Sequence, residues 1–227
     1  MRINKLLSNY GYCSRKEAAR LIEDKRIMVN GSICIPGQWV EEEDCILLDG
    51  EPVAPRERIY LALNKPAGIT CTAEKTVKGN IIDFLGFTSY VFPVGRLDKE
   101  SQGLILLTND GDLASRILES ENCHEKEYVV TVDREFGGSF LEGMSAGVDI
   151  LGVRTRHCRV SGISGDTFRI ILTQGLNRQI RRMCRAFGYT VTRLERVRIL
   201  NIRLEGLGEG EWRRLSEEEI EGLRSCQ

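Results

Sequence analysis

Apolar and polar positions in this chain repeat with two different periods, and the changes of period mark its elements. In residues 2–10, Ile3, Leu6, Leu7 and Tyr10 recur at i, i+3, i+4 and i+7, and Gly11 follows, which predicts a short amphipathic helix. Ser14-Arg15-Lys16-Glu17 has the form of a capping box and opens a second helix with Ala18, Leu21 and Ile22 inward. Residues 27–29 and 33–35, joined by Asn30-Gly31, read as a hairpin; residues 45–48, ahead of Asp49-Gly50, read as a further strand and turn. Residues 51–58, with two prolines and four charges, read as a linker.

Past the linker the pattern resumes. Residues 60–64 predict a strand that ends at Lys65-Pro66, and residues 81–85 fit a short helix or a strand equally well. Two apolar runs, 91–94 and 104–107, flank a polar loop, and a helix is expected from about Asp112 to Glu119. Residues 126–132 alternate, with Tyr128, Val130 and Val132 on one face. Residues 144–152, carrying two glycines, read as a turn between irregular segments, and residues 167–173 as an apolar strand. From Arg178 to Phe187 two combs interleave: Ile180, Met183, Cys184 and Phe187 form one helical face, and Arg178, Arg181, Arg182 and Arg185 the other. Asn177 fits as the N-cap of that helix and Gly188 as its stop. The acidic tail is expected to be helical near residues 216–223, where Ser216 and Glu219 form another capping box.

At 227 residues the chain suits one large or two smaller domains. Its apolar runs fall far short of a membrane span, and its N-terminus lacks the apolar core of a secretory signal, so cytoplasm is the expected compartment. A net charge of −1 argues against a uniformly basic nucleic-acid binder. The distribution changes that picture. Residues 1–30 hold seven Lys/Arg against three acids, and residues 175–203 eight Arg against one Glu, whereas residues 31–57 set seven acids against Arg56. Arg193, Arg196, Arg198 and Arg203 extend the second basic region. Local positive patches attract phosphate better than the total suggests.

Eight cysteines show no CxxC pair and read as buried free thiols; a zinc site would need Cys123-His124 and His157-Cys158 brought together by the fold. No GxSxG elbow supports a serine triad. The candidate chemistry lies in the loop after residue 94. There Asp98 sits between Arg96 and Lys99, with Gly95 and Gly103 at the flanks. A carboxylate beside cations is held ionised, and on a loop carried by two strands it is a nucleophile or base. The plain alternative is a surface turn with an ordinary ion pair. Tyr128, in line with two valines, reads by itself as core. The arginine comb pairs like charges at i,i+3 and i,i+4 without an acid in the segment, which suits a polyanion, a buried carboxylate or a set of distant acids.

The first fifty residues, through RINKLLSNYGYCSRKEAARLIEDKRIMVNG, resemble the S4 RNA-binding domain. That resemblance implies that Lys5, Arg15, Lys16 and Arg20 lie against RNA phosphates. An S4-like module followed by GRLD (95–98), KEY (126–128) and NRQIRRM (177–183) resembles the RsuA-type pseudouridine synthases, and most closely the large-subunit enzymes of the F branch. The resemblance implies an α+β architecture: an S4-like helix–helix–hairpin domain at 1–50, a linker at 51–58, and a catalytic domain at 59–227 on a mixed, largely antiparallel sheet. It implies isomerisation of uridine to pseudouridine in ribosomal RNA, expected to be 23S, by a cytoplasmic monomer with no cofactor and no metal. Asp98 matches the catalytic aspartate, Tyr128 the aromatic against the uracil, Arg181 the partner of the aspartate, Ile180 an apolar neighbour, and Arg96 the residue that holds the displaced base's place. Arg178 and Arg182 are expected to add RNA contacts. The basic C-terminal extension of some F-branch relatives is absent. The same chemistry on tRNA or small-subunit RNA, a noncatalytic ribosome assembly factor of this fold, and a small-molecule lyase or hydrolase are the competing readings.

Overall fold

The structure, a computed structural model, describes residues 1–41, 43–74, 76–119 and 124–225. Helix α1 (Ile3–Asn9) buries Ile3, Leu6 and Leu7. Helix α2 (Arg15–Glu23) starts where the Ser14 hydroxyl accepts the Glu17 N–H at 3.1 Å, which satisfies an orphan donor of the first turn. Strands β1 (Ile27–Val29) and β2 (Ser32–Ile33) turn through Asn30 and Gly31, both at positive φ, as a two-residue hairpin loop requires. Asp49 and Gly50 do the same between β3 (Ile46–Leu48) and β4 (Glu51–Pro52), completing a sheet of order β2-β1-β3-β4. The segment expected as a linker thus begins as a strand, because that turn lays Glu51 and Pro52 back on β3; only residues 53–59 lack regular structure.

The second unit runs β5 (Tyr60–Lys65), α3 (Ile81–Leu85), β6 (Phe92–Val94), β7 (Gln102–Thr108), α4 (Gly111–Leu118) and β8 (Lys126–Val132). Helix α5 (Gly138–Ser145) follows, then β9 (Asp149–Ile150), β10 (Val153–Arg154), β11 (Arg159–Gly162) and β12 (Thr167–Leu172). The chain closes with α6 (Gln179–Ala186), β13 (Val191–Ile199), β14 (Ile202–Arg203), β15 (Trp212–Arg214) and α7 (Glu217–Ser225). Its sheet has nine strands, in the order β11-β12-β8-β13-β7-β5-β15, with β14 beside β13 and β6 beside β7. The β13–β7 pairing is parallel and the other strand pairs are antiparallel, so the sheet is mixed and largely antiparallel.

β7 reads as an unbroken apolar run because both of its faces are covered. Leu104 and Leu106 pack with Leu113 and Ile117 of α4 and Ile220 of α7, while Ile105 and Leu107 pack with Ile81 and Leu85 of α3 on the opposite face. In the other half of the sheet, Val130 and Phe168 lie under α5 and α6 through Phe140, Met144, Ile180 and Met183. Tyr128 packs against both the α3 cluster and the α5–α6 cluster, so it stands where the two halves meet. At this seam β13 and β7 approach so closely that a Cβ on Gly103, which has φ +102°, would lie 2.3 Å from the Arg196 carbonyl oxygen. Only glycine fits there.

One open choice is settled, and some elements depart from the expected pattern. Residues 81–85 are a helix, started by the Asn80 side chain, which accepts the Ile82 and Asp83 N–H groups, and ended by Gly86 in the left-handed region. Helix α5 was not expected in the irregular stretch before residue 144; it has no side-chain cap and opens at Gly137-Gly138, so it carries no start signal. Residues 149–154, within the stretch expected as a turn, form the β9–β10 hairpin. The Ser216–Glu219 capping box forms in both directions, at 2.9 and 3.2 Å.

Candidate active site

Asp98 lies on the β6–β7 connection, and that loop is held from below. Leu97 is buried in the α3 cluster, and its N–H points at the Cys71 sulfur at 3.4 Å. The Gly68 N–H donates to the Lys99 carbonyl at 2.7 Å, and the Ser101 N–H to the Asp98 carbonyl at 3.0 Å. The loop is therefore fixed while the Asp98 side chain stays partly exposed, at 30 %.

The cations that reach this carboxylate are not its sequence neighbours. Arg181 Nε stands 3.9 Å and Arg178 Nη1 4.0 Å from Asp98 Oδ2. Arg181 is largely buried and anchored by two other bonds, Nη1 to the Val191 carbonyl at 3.1 Å and Nη2 to the Ser101 hydroxyl at 3.3 Å. Its Nε is buried and has no hydrogen-bond partner. A buried N–H of this kind, facing a carboxylate just beyond bonding range, is a donor held ready for that carboxylate. Arg178 pairs more tightly with Glu100, at 2.9 Å.

α6 carries this arrangement, and it begins differently from the sequence expectation. Asn177 is not the N-cap: that position belongs to Arg178, at φ +50° and without a side-chain cap bond. Asn177 instead accepts Arg182 through its carbonyl (3.0 Å) and its side-chain oxygen (3.3 Å), and the Gln179 side chain takes the Leu176 N–H at 3.0 Å. The loop folds on these bonds, so the helix starts one residue later. Ile180, Met183 and Cys184 are buried as the comb predicts, whereas Phe187 is 38 % exposed.

Asp98, Tyr128, Ile180, Arg96 and Arg178 line one cleft across the sheet. That cleft is about 130 Å³, and it shares Asp98 and Tyr128 with an adjoining larger cavity of about 640 Å³. The larger volume is the size of an organic-ligand site. Arg181 stands behind Asp98 and faces a separate groove with Arg182, Arg185 and Tyr189.

The other basic positions divide. Arg15, Lys16 and Arg20 are exposed on α2. Lys5 faces the catalytic domain, 3.8 Å from Asp112, next to the Asn9–Asp112 hydrogen bond. That pair is largely exposed and worth little in stability. Three of the arginines expected to extend the basic region are taken up by acids: Arg198 by Glu125 and Glu127, Arg193 by Glu195, and Arg203 by Glu205. The fourth, Arg196, is 3 % exposed.

Sequence reasoning missed four polar groups around the cleft. Lys65, fully buried, donates to the Pro66 and Ile69 carbonyls at 2.8 and 3.0 Å, and burial lowers its pKa. Burial, with Arg196 nearby, pushes Lys126 down to about 8. Arg196 donates Nε to the Leu104 carbonyl at 2.7 Å and leaves Nη2 buried and unpartnered. His124 places Nδ1 at 3.0 Å from the Ile117 carbonyl and leaves Nε2 unpartnered. Only the Lys-Pro and Lys-Glu-Tyr strings hinted at two of these.

Cys123 lies outside the described residues, so the Cys123-His124 pair cannot be followed; Cys158 donates its thiol to the Met144 carbonyl at 3.3 Å. Among the described residues no group of three or more His, Cys, Asp or Glu side chains is placed to hold a metal. The described cysteines are free thiols, buried at 13, 34, 71 and 184 but exposed at 45. No described helix is long and apolar enough to cross a membrane.

Comparison with known proteins gives this geometry a family. Residues 59–186 match the RNA pseudouridylate synthase family and residues 1–46 the S4 domain. The dual-specificity RNA pseudouridine synthase RluF of Escherichia coli (strain K12) is 50 % identical over 97 % of this chain and 77 % of its own length. The uncharacterized RNA pseudouridine synthase YtzG of Bacillus subtilis (strain 168) is 34 % identical over the full length of both. A crystal structure of a pseudouridylate synthase superposes with a TM-score of 0.72 at 29 % identity, covering 98 % of this chain and 99 % of that one. The chain thus belongs to the RNA pseudouridylate synthase family, with an S4 domain ahead of the synthase domain.

Proposed function

We propose that this pseudouridine synthase acts on an extruded uridine of large-subunit ribosomal RNA, with Asp98 as its catalytic carboxylate. The isomerisation breaks N1–C1′, turns the uracil and forms C5–C1′; N1 gains a proton and C5 loses one, with no net oxidation. Extruding a stacked base costs a few kcal/mol. Tyr128 offers a ring to the extruded base, worth about 1–3 kcal/mol in stacking, beside Ile180. Asp98 acts on the sugar or the base of that nucleotide, and Arg181 steadies its charge through the Nε that has no other partner. The observation that carries this reading is the unpartnered Nε of Arg181, 3.9 Å from Asp98, at the back of the cleft that also presents Tyr128.

The exposed basic face of α2 supports phosphate contacts by the S4 domain, from Arg15, Lys16 and Arg20. Arg96 and Arg178, on the cleft wall, and Arg182, on the neighbouring groove, continue that track. A monomer working in the cytoplasm is part of this proposal. Relatives at 50 % identity are named dual-specificity, which supports a second RNA substrate beside the ribosomal one. Tritium release from RNA labelled at uracil C5 tests the substrate: conversion of large-subunit fragments agrees with the proposal, and conversion of tRNA alone would contradict it.

A further inference from the structure

Resting on that reading, one wall of the larger cavity asks for more than a uracil. Lys126 and Arg196 both line it, together with Arg96 and Arg178. Lys126 precedes Tyr128 on the same face of β8, two residues apart, and its ammonium makes a long hydrogen bond, 3.4 Å, to the His124 carbonyl. Arg196 is buried, held by the Leu104 carbonyl at 2.7 Å and grazing the Arg96 carbonyl at 3.5 Å, with Nη2 left over. Lys65 lies beneath them, fully buried.

No carboxylate forms an ion pair with Lys65, Lys126 or Arg196 among the described residues. The charge of Arg196 depresses the pKa of both lysines, after the larger effect of burial. Two buried cations and a half-buried one, with Arg196 repelling both lysines and no described acid within ion-pair range, are unfavourable for folding alone. The four Lys and Arg side chains that line the cavity, Arg96, Lys126, Arg178 and Arg196, outnumber the two carboxylates, Asp98 and Glu119, that share the lining. What such a wall lacks is an anion, and in RNA the anion is the backbone.

We propose that Lys126 and Arg196 form a subsite for one phosphodiester next to the target uridine, so that the extruded nucleotide is held by its backbone as well as by its base. The bound phosphate accepts from the Lys126 ammonium and the spare Arg196 Nη2. Charge-assisted bonds of this kind are the strong ones. Anchored there, the ribose cannot slide along the cleft, and C1′ is kept over Asp98.

The test uses an RNA hairpin that the wild-type chain converts, with each phosphodiester flanking the uridine replaced in turn by a neutral methylphosphonate. Binding is measured in an Asp98→Asn background, where no conversion occurs. Lys126→Met is expected to weaken binding of the natural hairpin about tenfold, the scale of one charge-assisted bond. Methylphosphonate at one of the two linkages is expected to cause a similar loss with Lys126 present and no further loss in Lys126→Met, while Lys126→Arg binds like its parent. Additive losses at both linkages, or unchanged binding in a folded Lys126→Met variant, would overturn the subsite and leave the enzymatic reading intact. Failure of the wild-type chain to convert any RNA would overturn that reading, and the subsite with it.

Discussion

At the scale of single residues, the site is a set of charges whose partners lie far apart in the chain. Lys126 shows the energetic side of this. Its folded pKa is about 8 against an ordinary value of 10.5, so between those values the unfolded chain binds more protons. Stability therefore rises as pH is raised from about 8 to 10.5, is fully present above that window, and is lost as pH falls through 8. Lys126→Met should flatten the rise, leaving the part that Lys65 contributes, and be at least as stable as the wild type at pH 7, measured by urea denaturation at several pH values. Identical pH dependence in the two proteins would contradict the burial of that ammonium. Asp98, Tyr128 and Arg181 were legible as candidates because each sits in a recognisable string. Their meeting was legible only through the resemblance, which paired Arg181 with Asp98: spacing alone pointed to Arg96 and Lys99, whereas the fold supplies Arg181 and Arg178 from about 80 residues further on. Lys65, His124 and Arg196 stayed hidden because a buried cation or imidazole looks, in sequence, like a solvated one.

At the scale of elements, periodicity worked where one face is buried and failed where it is not. α1, α2, β8 and the body of α6 follow their apolar combs, and β7 is apolar throughout because helices cover both its faces. α5 escaped notice since it opens on glycines, and β11 since it is an exposed edge strand without alternation. The start of α6 moved because the Gln179 and Arg182 side chains fold the loop before it. The parallel contact of β13 with β7 is the joint between the two halves of the sheet, and Gly103 is its tightest point. Gly103→Ala is expected to lower unfolding free energy by at least about 3 kcal/mol, from left-handed strain together with a steric clash against the Arg196 backbone. A shift of the urea midpoint by less than a third of that would show the joint to be loose.

At the scale of the whole molecule, the basic α1–α2 half of the first unit and the cationic cleft of the second are local patches, which explains how a chain of net charge −1 handles RNA. The two units meet through short polar contacts: Arg58 Nη1 to the Asn9 carbonyl at 2.8 Å, and the Arg56 N–H to the Tyr10 carbonyl at 3.2 Å. Replacing Arg15, Lys16 and Arg20 together by alanine should reduce the slope of log affinity against log salt by roughly two to three. Turnover at saturating RNA should be unchanged, since no chemistry is assigned to α2. An unchanged salt slope would remove the S4 face from the RNA path. The measurement that bears most directly on the central claim is made on the Asp98→Asn variant, following both tritium release and RNA binding. Turnover lost with affinity within several-fold of wild type is the result predicted; surviving turnover, or loss of RNA binding by the folded variant, would contradict it.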